Sequence, residues 1–160
     1  MDKVFFLIFI IKHVVAPIVR RTEPPAKIMT LEFGKPVAES HSEITYGISF
    51  LTYYAAEATR PTSAGGGVII PTPFTHPPPP SSSGAPPRGT VLARNEAVGP
   101  TAMITPWNFP MAMVARKVGP ALAAGCTVVL RCSEVPPLTS VGLRVLAVRA
   151  GLPEDVFQLV

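Results

Sequence analysis

Cysteine is scarce in this sequence: its 160 residues hold two, Cys126 and Cys132. Two thiols cannot build a disulfide framework or a cysteine zinc site, so a reduced, intracellular setting is expected. Histidine is scarce as well. His13, His41 and His76 fall in an apolar extension, a helical stretch and a linker, with no His-x-x-x-His pair. No metal site is expected. Charge of one sign is nowhere concentrated. The net charge is +4, and the basic residues are scattered as Lys12, Arg20, Arg21, Lys27, Lys35 and onward. Without a Lys/Arg stripe interleaved with aromatics, nucleic acid is excluded as a partner. No apolar run is long enough to cross a bilayer. Val4 to Ile11 is unbroken, but Lys12 and His13 interrupt it and Pro17 follows. As a signal peptide it has a poor charged start, since Asp2 and Lys3 cancel, and no clear small-residue cleavage site. It also lacks the Arg/Ser-rich character of a mitochondrial transit peptide. A cytoplasmic protein is expected, ahead of a mitochondrial or membrane-tethered one.

What the chain does have is proline and an apolar majority in most segments. Of its 20 prolines, eight fall within residues 71 to 87. The hydrophobic fraction is 48%, enough for a packed core over the remainder. The composition divides the chain into an apolar extension (1–21), a helical segment (22–60), a Pro/Gly/Ser-rich linker (61–90) and an organised unit (91–160). In the second segment Val37, Ile44, Ile48, Leu51, Ala55 and Ala58 recur on one helix face. Gly34-Lys35-Pro36 punctuates it, because proline disfavours helix in the residue before it. In the third, Gly65-Gly66-Gly67, Pro77 to Pro80 and Ser81-Ser82-Ser83 read as a spacer that builds neither ladder nor helix.

From residue 91 the pattern becomes regular. Thr101 to Ile104 predicts a short strand. Asn108-Phe109-Pro110 opens a helix with proline near its first turn, where a missing N–H costs nothing. Met111, Val114, Ala115, Val118, Ala121 and Leu122 form its apolar face, Pro120 sits inside it and Gly125 closes it. Thr127 to Leu130 is β-branched and reads as a buried strand. Leu138, Val141, Val145 and Val148 predict the next helix, ended by Gly151 and Pro153. Val156 to Val160 begins a third strand. Strand, helix, strand, helix, strand predicts three parallel strands joined by two right-handed crossovers. That is part of a doubly wound, Rossmann-like α/β domain, with an unpaired strand edge and an incompletely covered sheet.

Ile104-Thr105-Pro106-Trp107-Asn108-Phe109-Pro110 is an unusual heptapeptide. Arg116-Lys117-Val118-Gly119-Pro120-Ala121-Leu122-Ala123-Ala124-Gly125-Cys126 follows it, then Pro137-Leu138-Thr139 and Ala150-Gly151-Leu152-Pro153. Upstream stands Thr30-Leu31-Glu32-Phe33-Gly34-Lys35-Pro36, with Glu39 and Glu43. In this order these words closely resemble the aldehyde dehydrogenase superfamily, in particular its succinate-semialdehyde dehydrogenase branch. The resemblance covers roughly 26–60 and 93–160. It implies an NAD-dependent oxidoreductase, with NADP as the alternative cofactor and a small-molecule aldehyde as substrate. By the same resemblance Ile104, Thr105, Pro106 and Trp107 line the nicotinamide and its ribose. Asn108 matches the oxyanion-hole asparagine, whose amide N–H stabilises the charge formed when a thiolate attacks an aldehyde. From the residues alone, Asn108 also reads as a helix N-cap.

Arg131, Ser133 and Glu134 match positions at the adenosine ribose. The family usually carries lysine where Arg131 stands and proline where Cys132 stands. Arginine keeps the charge but changes shape and donor number. An acid at position 134 disfavours a 2′-phosphate and so favours NAD. The resemblance places the nucleophilic cysteine and the general-base glutamate beyond residue 160, so this chain alone is expected to be inactive. Cys126 and Cys132 read as packed or incidental thiols. Two further readings stand beside an enzyme: a non-catalytic subunit docking on a full-length relative through its sheet edge, as a homo- or hetero-oligomer, and a bare dinucleotide-binding module.

Overall fold

The computed structural model describes residues 23–60, 67–75, 88–135 and 137–160. The apolar extension, His13, His76 and the proline run at 77–80 lie outside the described residues. Helices α1 (Glu23–Phe33) and α2 (Val37–Glu57) come first, broken at Gly34, whose φ of 75° is a backbone state that suits glycine. The expected face of α2 is largely the buried one: Ile44, Leu51, Ala55 and Ala58 are buried, while Val37 is exposed.

Strands β1 (Gly67–Thr75) and β2 (Arg88–Arg94) then form an antiparallel pair, with Ile69 opposite Leu92 and Ile70 opposite Val91. This corrects the expectation that 61–90 builds no ladder, for 67–75 and 88–90. The β-branched run Val68-Ile69-Ile70 carries a strand signal that proline and glycine counts masked. Pro71 is tolerated because both strands of a two-stranded ribbon are edges, where a missing N–H need not break a ladder.

Strand β3 (Thr101–Ile104), helix α3 (Ala112–Ala123), strand β4 (Val128–Arg131), helix α4 (Pro137–Arg149) and strand β5 (Phe157–Leu159) complete the described elements. The three strands are parallel in the order β3-β4-β5, with Ile104 beside Arg131 and Val128 beside Phe157. Two crossovers of the same hand advancing in one direction put both helices on one face of the sheet. Burial agrees: Val128, Leu130 and Phe157 are buried under the helices, while Ala102, Ile104, Val129 and Arg131 are exposed on the other face. β4 is therefore half-buried rather than fully buried as its β-branched run suggests, with Val129 at 40% exposure.

Both crossover helices end the same way. Gly125 (φ 83°) and Gly151 (φ 102°) take the left-handed position after the helix. The Gly125 N–H donates to the Leu122 carbonyl and the Cys126 N–H to the Ala121 carbonyl; Gly151 and Leu152 repeat this on Val148 and Ala147. Cys126 is thus a buried closing residue of the turn, in keeping with its reading as a packed thiol. The face of α4 differs from the sequence pattern. Thr139, Ser140, Leu143 and Ala147 are buried, whereas Leu138, Val141 and Val145 are exposed. This helix is apolar on two faces, so periodicity found a helix but not the side it packs.

Candidate functional site

The site lies where β3 and β4 end. Parallel strands open a crevice at their carboxyl ends, because the chain must leave the sheet there to enter each helix. Ile104 closes β3 with its side chain 67% exposed, and Pro106 and Trp107 follow, also exposed. Arg131 closes β4 directly beside Ile104. Its guanidinium donates to the Glu134 carboxylate at 2.9 Å, both side chains being exposed. Ser133 lies between them in sequence and accepts the Val135 N–H at 3.4 Å. The two groups of residues expected from sequence are therefore brought together on one edge. Thr105 departs from the rest: it is buried, and its N–H donates to the Arg131 carbonyl at 3.2 Å. It splices the two strand ends instead of presenting a surface. Lys117, which periodicity left unassigned, reaches back from α3 to donate to the Ile104 carbonyl at 2.9 Å.

Asn108 is exposed, and its side-chain amide makes no hydrogen bond among the described residues. It does not cap α3. The cap comes from a different helix: the Met111 and Ala112 N–H groups donate to one oxygen of Glu43, at 2.9 and 3.2 Å. A carboxylate suits this place because the first amides of a helix are unpaired and carry its positive dipole end. The other oxygen of Glu43 pairs with the Lys35 ammonium. Lys35 also donates to the Asn108 carbonyl at 3.1 Å and lies over the Phe109 ring, 4.3 Å from its centroid. Trp107 packs on Phe33 with centroids 5.6 Å apart. These groups line a cleft of about 530 Å³.

Helix α4 is capped by the same device. The Thr139 N–H and hydroxyl donate to Glu32 at 3.0 and 2.9 Å, and the Leu138 N–H donates to its other oxygen. Glu32 and Glu43 were legible only as members of a family-like word; their capping partners lie far away in sequence, where no local pattern reaches. A larger, apolar cleft of about 630 Å³ lies between α1 and α4, walled by Pro24, Ile28, Leu143 and Leu146. Among the described residues, none of the expected site residues borders it, and Arg149 is the one ionisable group that does. Among the described residues no His/Cys/Asp/Glu group could hold a metal ion, and no helix is long and apolar enough to cross a membrane.

A parallel α/β sheet with polar and planar groups gathered at its carboxyl edge defines a nucleotide-binding architecture. Comparison with known proteins narrows it. The aldehyde dehydrogenase family model matches residues 9–160. The mitochondrial succinate-semialdehyde dehydrogenase of Oryza sativa subsp. japonica is 43% identical over 143 residues, 89% of this chain and 24% of that protein. The NADP(+) succinate-semialdehyde dehydrogenase of Escherichia coli (strain K12) is 43% identical over 135 residues, 84% of this chain and 25% of that protein. The crystal structure of succinate-semialdehyde dehydrogenase from Burkholderia pseudomallei superposes with a TM-score of 0.84 at 36% identity, covering 100% of this chain and 30% of that one. The chain belongs to the aldehyde dehydrogenase family. It spans about a quarter of the length of the curated relatives it matches. The family match also runs through 9–25 and 61–92, which the sequence resemblance left out.

Proposed function

We propose that the protein oxidises an aldehyde to its carboxylate with NAD(P)+, and that residues 91–160 supply the cofactor side of the site. The carrying observation is the convergence of Ile104–Asn108 with Arg131–Glu134 on one carboxyl edge of the parallel sheet. The residues present fit a dinucleotide. Exposed Ile104, Pro106 and Trp107 offer a flat apolar surface to a planar ring, and exposed Arg131 and Glu134 offer a donor and an acceptor to ribose hydroxyls. Bound there, the cofactor supplies the hydride acceptor. Asn108, whose amide has no partner among the described residues, donates to the substrate oxygen as charge builds on it. Relatives named for succinate and glutarate semialdehyde make a small aldehyde with a carboxylate tail the first substrate to test. Glu134 favours NAD, and the E. coli relative is named for NADP(+), so both cofactors belong in the assay.

Neither cysteine present serves as the nucleophile in this reading. Cys126 is buried at a helix end, before the first residue of β4, and so lies at the opposite end of that strand from Arg131. Cys132 is half-buried and packs against the core. A chain of these 160 residues alone therefore reduces no cofactor. We place the protein in the cytoplasm. Docking as a non-catalytic subunit draws no support from the fold or the relatives.

The test is aldehyde-dependent NAD(P)H formation by the intact native protein, with Asn108→Ala beside it. Losing one such donor lowers kcat by about 10²–10³-fold. Turnover at the wild-type rate in Asn108→Ala removes Asn108 from the chemistry. No aldehyde-dependent reduction with either cofactor removes the proposed reaction.

A further inference from the structure

We infer that Lys35 is a positioning residue for Asn108, held in that task by Glu43. This rests on the reading of Asn108 given above and extends it to the group that aims it. A side chain that stabilises charge must be held before the charge appears, and its own turn does little of the holding. Upstream, the Thr105 N–H is anchored to the sheet through the Arg131 carbonyl. Downstream, the Met111 N–H is anchored to Glu43. Between these points Lys35 provides the side-chain hydrogen bond to the turn backbone, at the Asn108 carbonyl, 3.1 Å away. The same ammonium faces the ring of the next residue, Phe109.

The chemistry favours lysine here. An ammonium has three donors on a compact centre, so it can serve the carboxylate, the carbonyl and the ring from one point. A guanidinium is planar and sends its N–H groups into one plane, so it keeps the ion pair but not all three contacts. The Lys35 side chain is 10% exposed and that of Glu43 is 1% exposed, which makes the pair a fixed point and not a mobile surface bridge. Gly34, at φ 75°, turns the chain between α1 and α2 so that Lys35 leaves toward α3.

Two measurements on Lys35→Met, Lys35→Arg, Asn108→Ala and the double variant Lys35→Met/Asn108→Ala test this. In steady-state turnover by the intact native protein, Lys35→Met lowers kcat by about 10²-fold, the scale of a 1 Å misplacement, while KM moves less than about threefold. The double variant is no slower than Asn108→Ala, because both changes remove one and the same donor. Losses that multiply, or a Lys35→Met kcat close to wild type, overturn the proposal. A silent Asn108→Ala instead overturns the parent reading. In amide hydrogen exchange, which needs no activity, Lys35→Arg leaves the Val128 to Leu130 amides unchanged but speeds exchange of the Met111, Ala112 and Met113 amides, which are bonded to Glu43 and to the Phe109 carbonyl. Exchange that is unchanged in the turn, or raised equally in β4, shows that Lys35 does not fix the turn.

Discussion

Glu43→Ala removes a buried carboxylate with three partners and is expected to cost much of the fold's stability. The Glu43 carboxylate is almost wholly buried and takes two helix amides and one ammonium. Removing it deletes a helix cap, an effect of about 1–2 kcal/mol. It also leaves the Lys35 ammonium in a site with 10% exposure and no carboxylate, and breaking a buried pair from one side costs about 3–5 kcal/mol. These terms overlap, since the desolvated amides and the stranded ammonium share one carboxylate. A net loss of about 4 kcal/mol is expected. Glu43→Gln keeps an acceptor for the amides and loses only the charge, so its loss is smaller, about 2 kcal/mol. The assay is urea unfolding followed by the fluorescence of Trp107, the chain's single tryptophan, with the midpoint shifting and the slope unchanged. A Glu43→Ala loss below about 1 kcal/mol would refute the reasoning, because it would mean that water reaches both the amides and the ammonium.

Glu32→Ala uncaps α4 and lowers stability by about 1–2 kcal/mol by the same unfolding assay, less than Glu43→Ala because no buried cation pairs with Glu32 among the described residues. Gly47→Val fails for a different reason. A Cβ there already meets the Met111 Cγ at 3.1 Å, so overpacking between α2 and α3 costs about 1–3 kcal/mol, read as a drop in melting temperature. Leu130→Ala opens a cavity under the sheet and costs about 2–5 kcal/mol, whereas Val129→Ala, on the open face, costs well under half of that. Arg131→Ala weakens dinucleotide binding by about tenfold in titration calorimetry without moving the unfolding midpoint, since its ion pair with Glu134 is solvent-exposed.

The sequence made local order plain and left long-range pairing obscure, for physical reasons. Helix α3 was legible because its apolar residues recur at helical spacing and glycine ends it at Gly125. The place of Ile104 to Asn108 at a sheet end was legible because they form one continuous word between a strand and a helix. Helix α4 showed its existence but not its packed side, since Leu138 and Leu143 compete and only α1 and β5 decide between them. The β1–β2 ribbon was hidden because pairing depends on a partner at Val91 and Leu92, while the counts of proline and glycine are local. Glu32, Lys35 and Glu43 were visible as charged residues on helices or at their ends, where a solvated surface is the ordinary reading. Only the packing of α1 and α2 on α4 and α3 turns them inward.

That inward turn ties the N-terminal helices to the chemistry of the sheet edge. A helix N-terminus facing a crevice is usually a place for an anion, because its amides are unpaired and its dipole is positive. Here both crossover helices have that place filled by a carboxylate of this chain, Glu43 on α3 and Glu32 on α4. Both helix ends are thereby occupied, so under the proposed function a dinucleotide on this edge would be held by side chains and strand-end backbone instead. Filling the α3 N-terminus with an uncompensated carboxylate would also oppose any negative charge developing at the Asn108 amide. Lys35 answers both requirements at once. Its ammonium neutralises Glu43, and from the same position it holds the Asn108 carbonyl. In the proposed reaction, the Asn108 amide can then meet an anion near a buried glutamate without facing its charge.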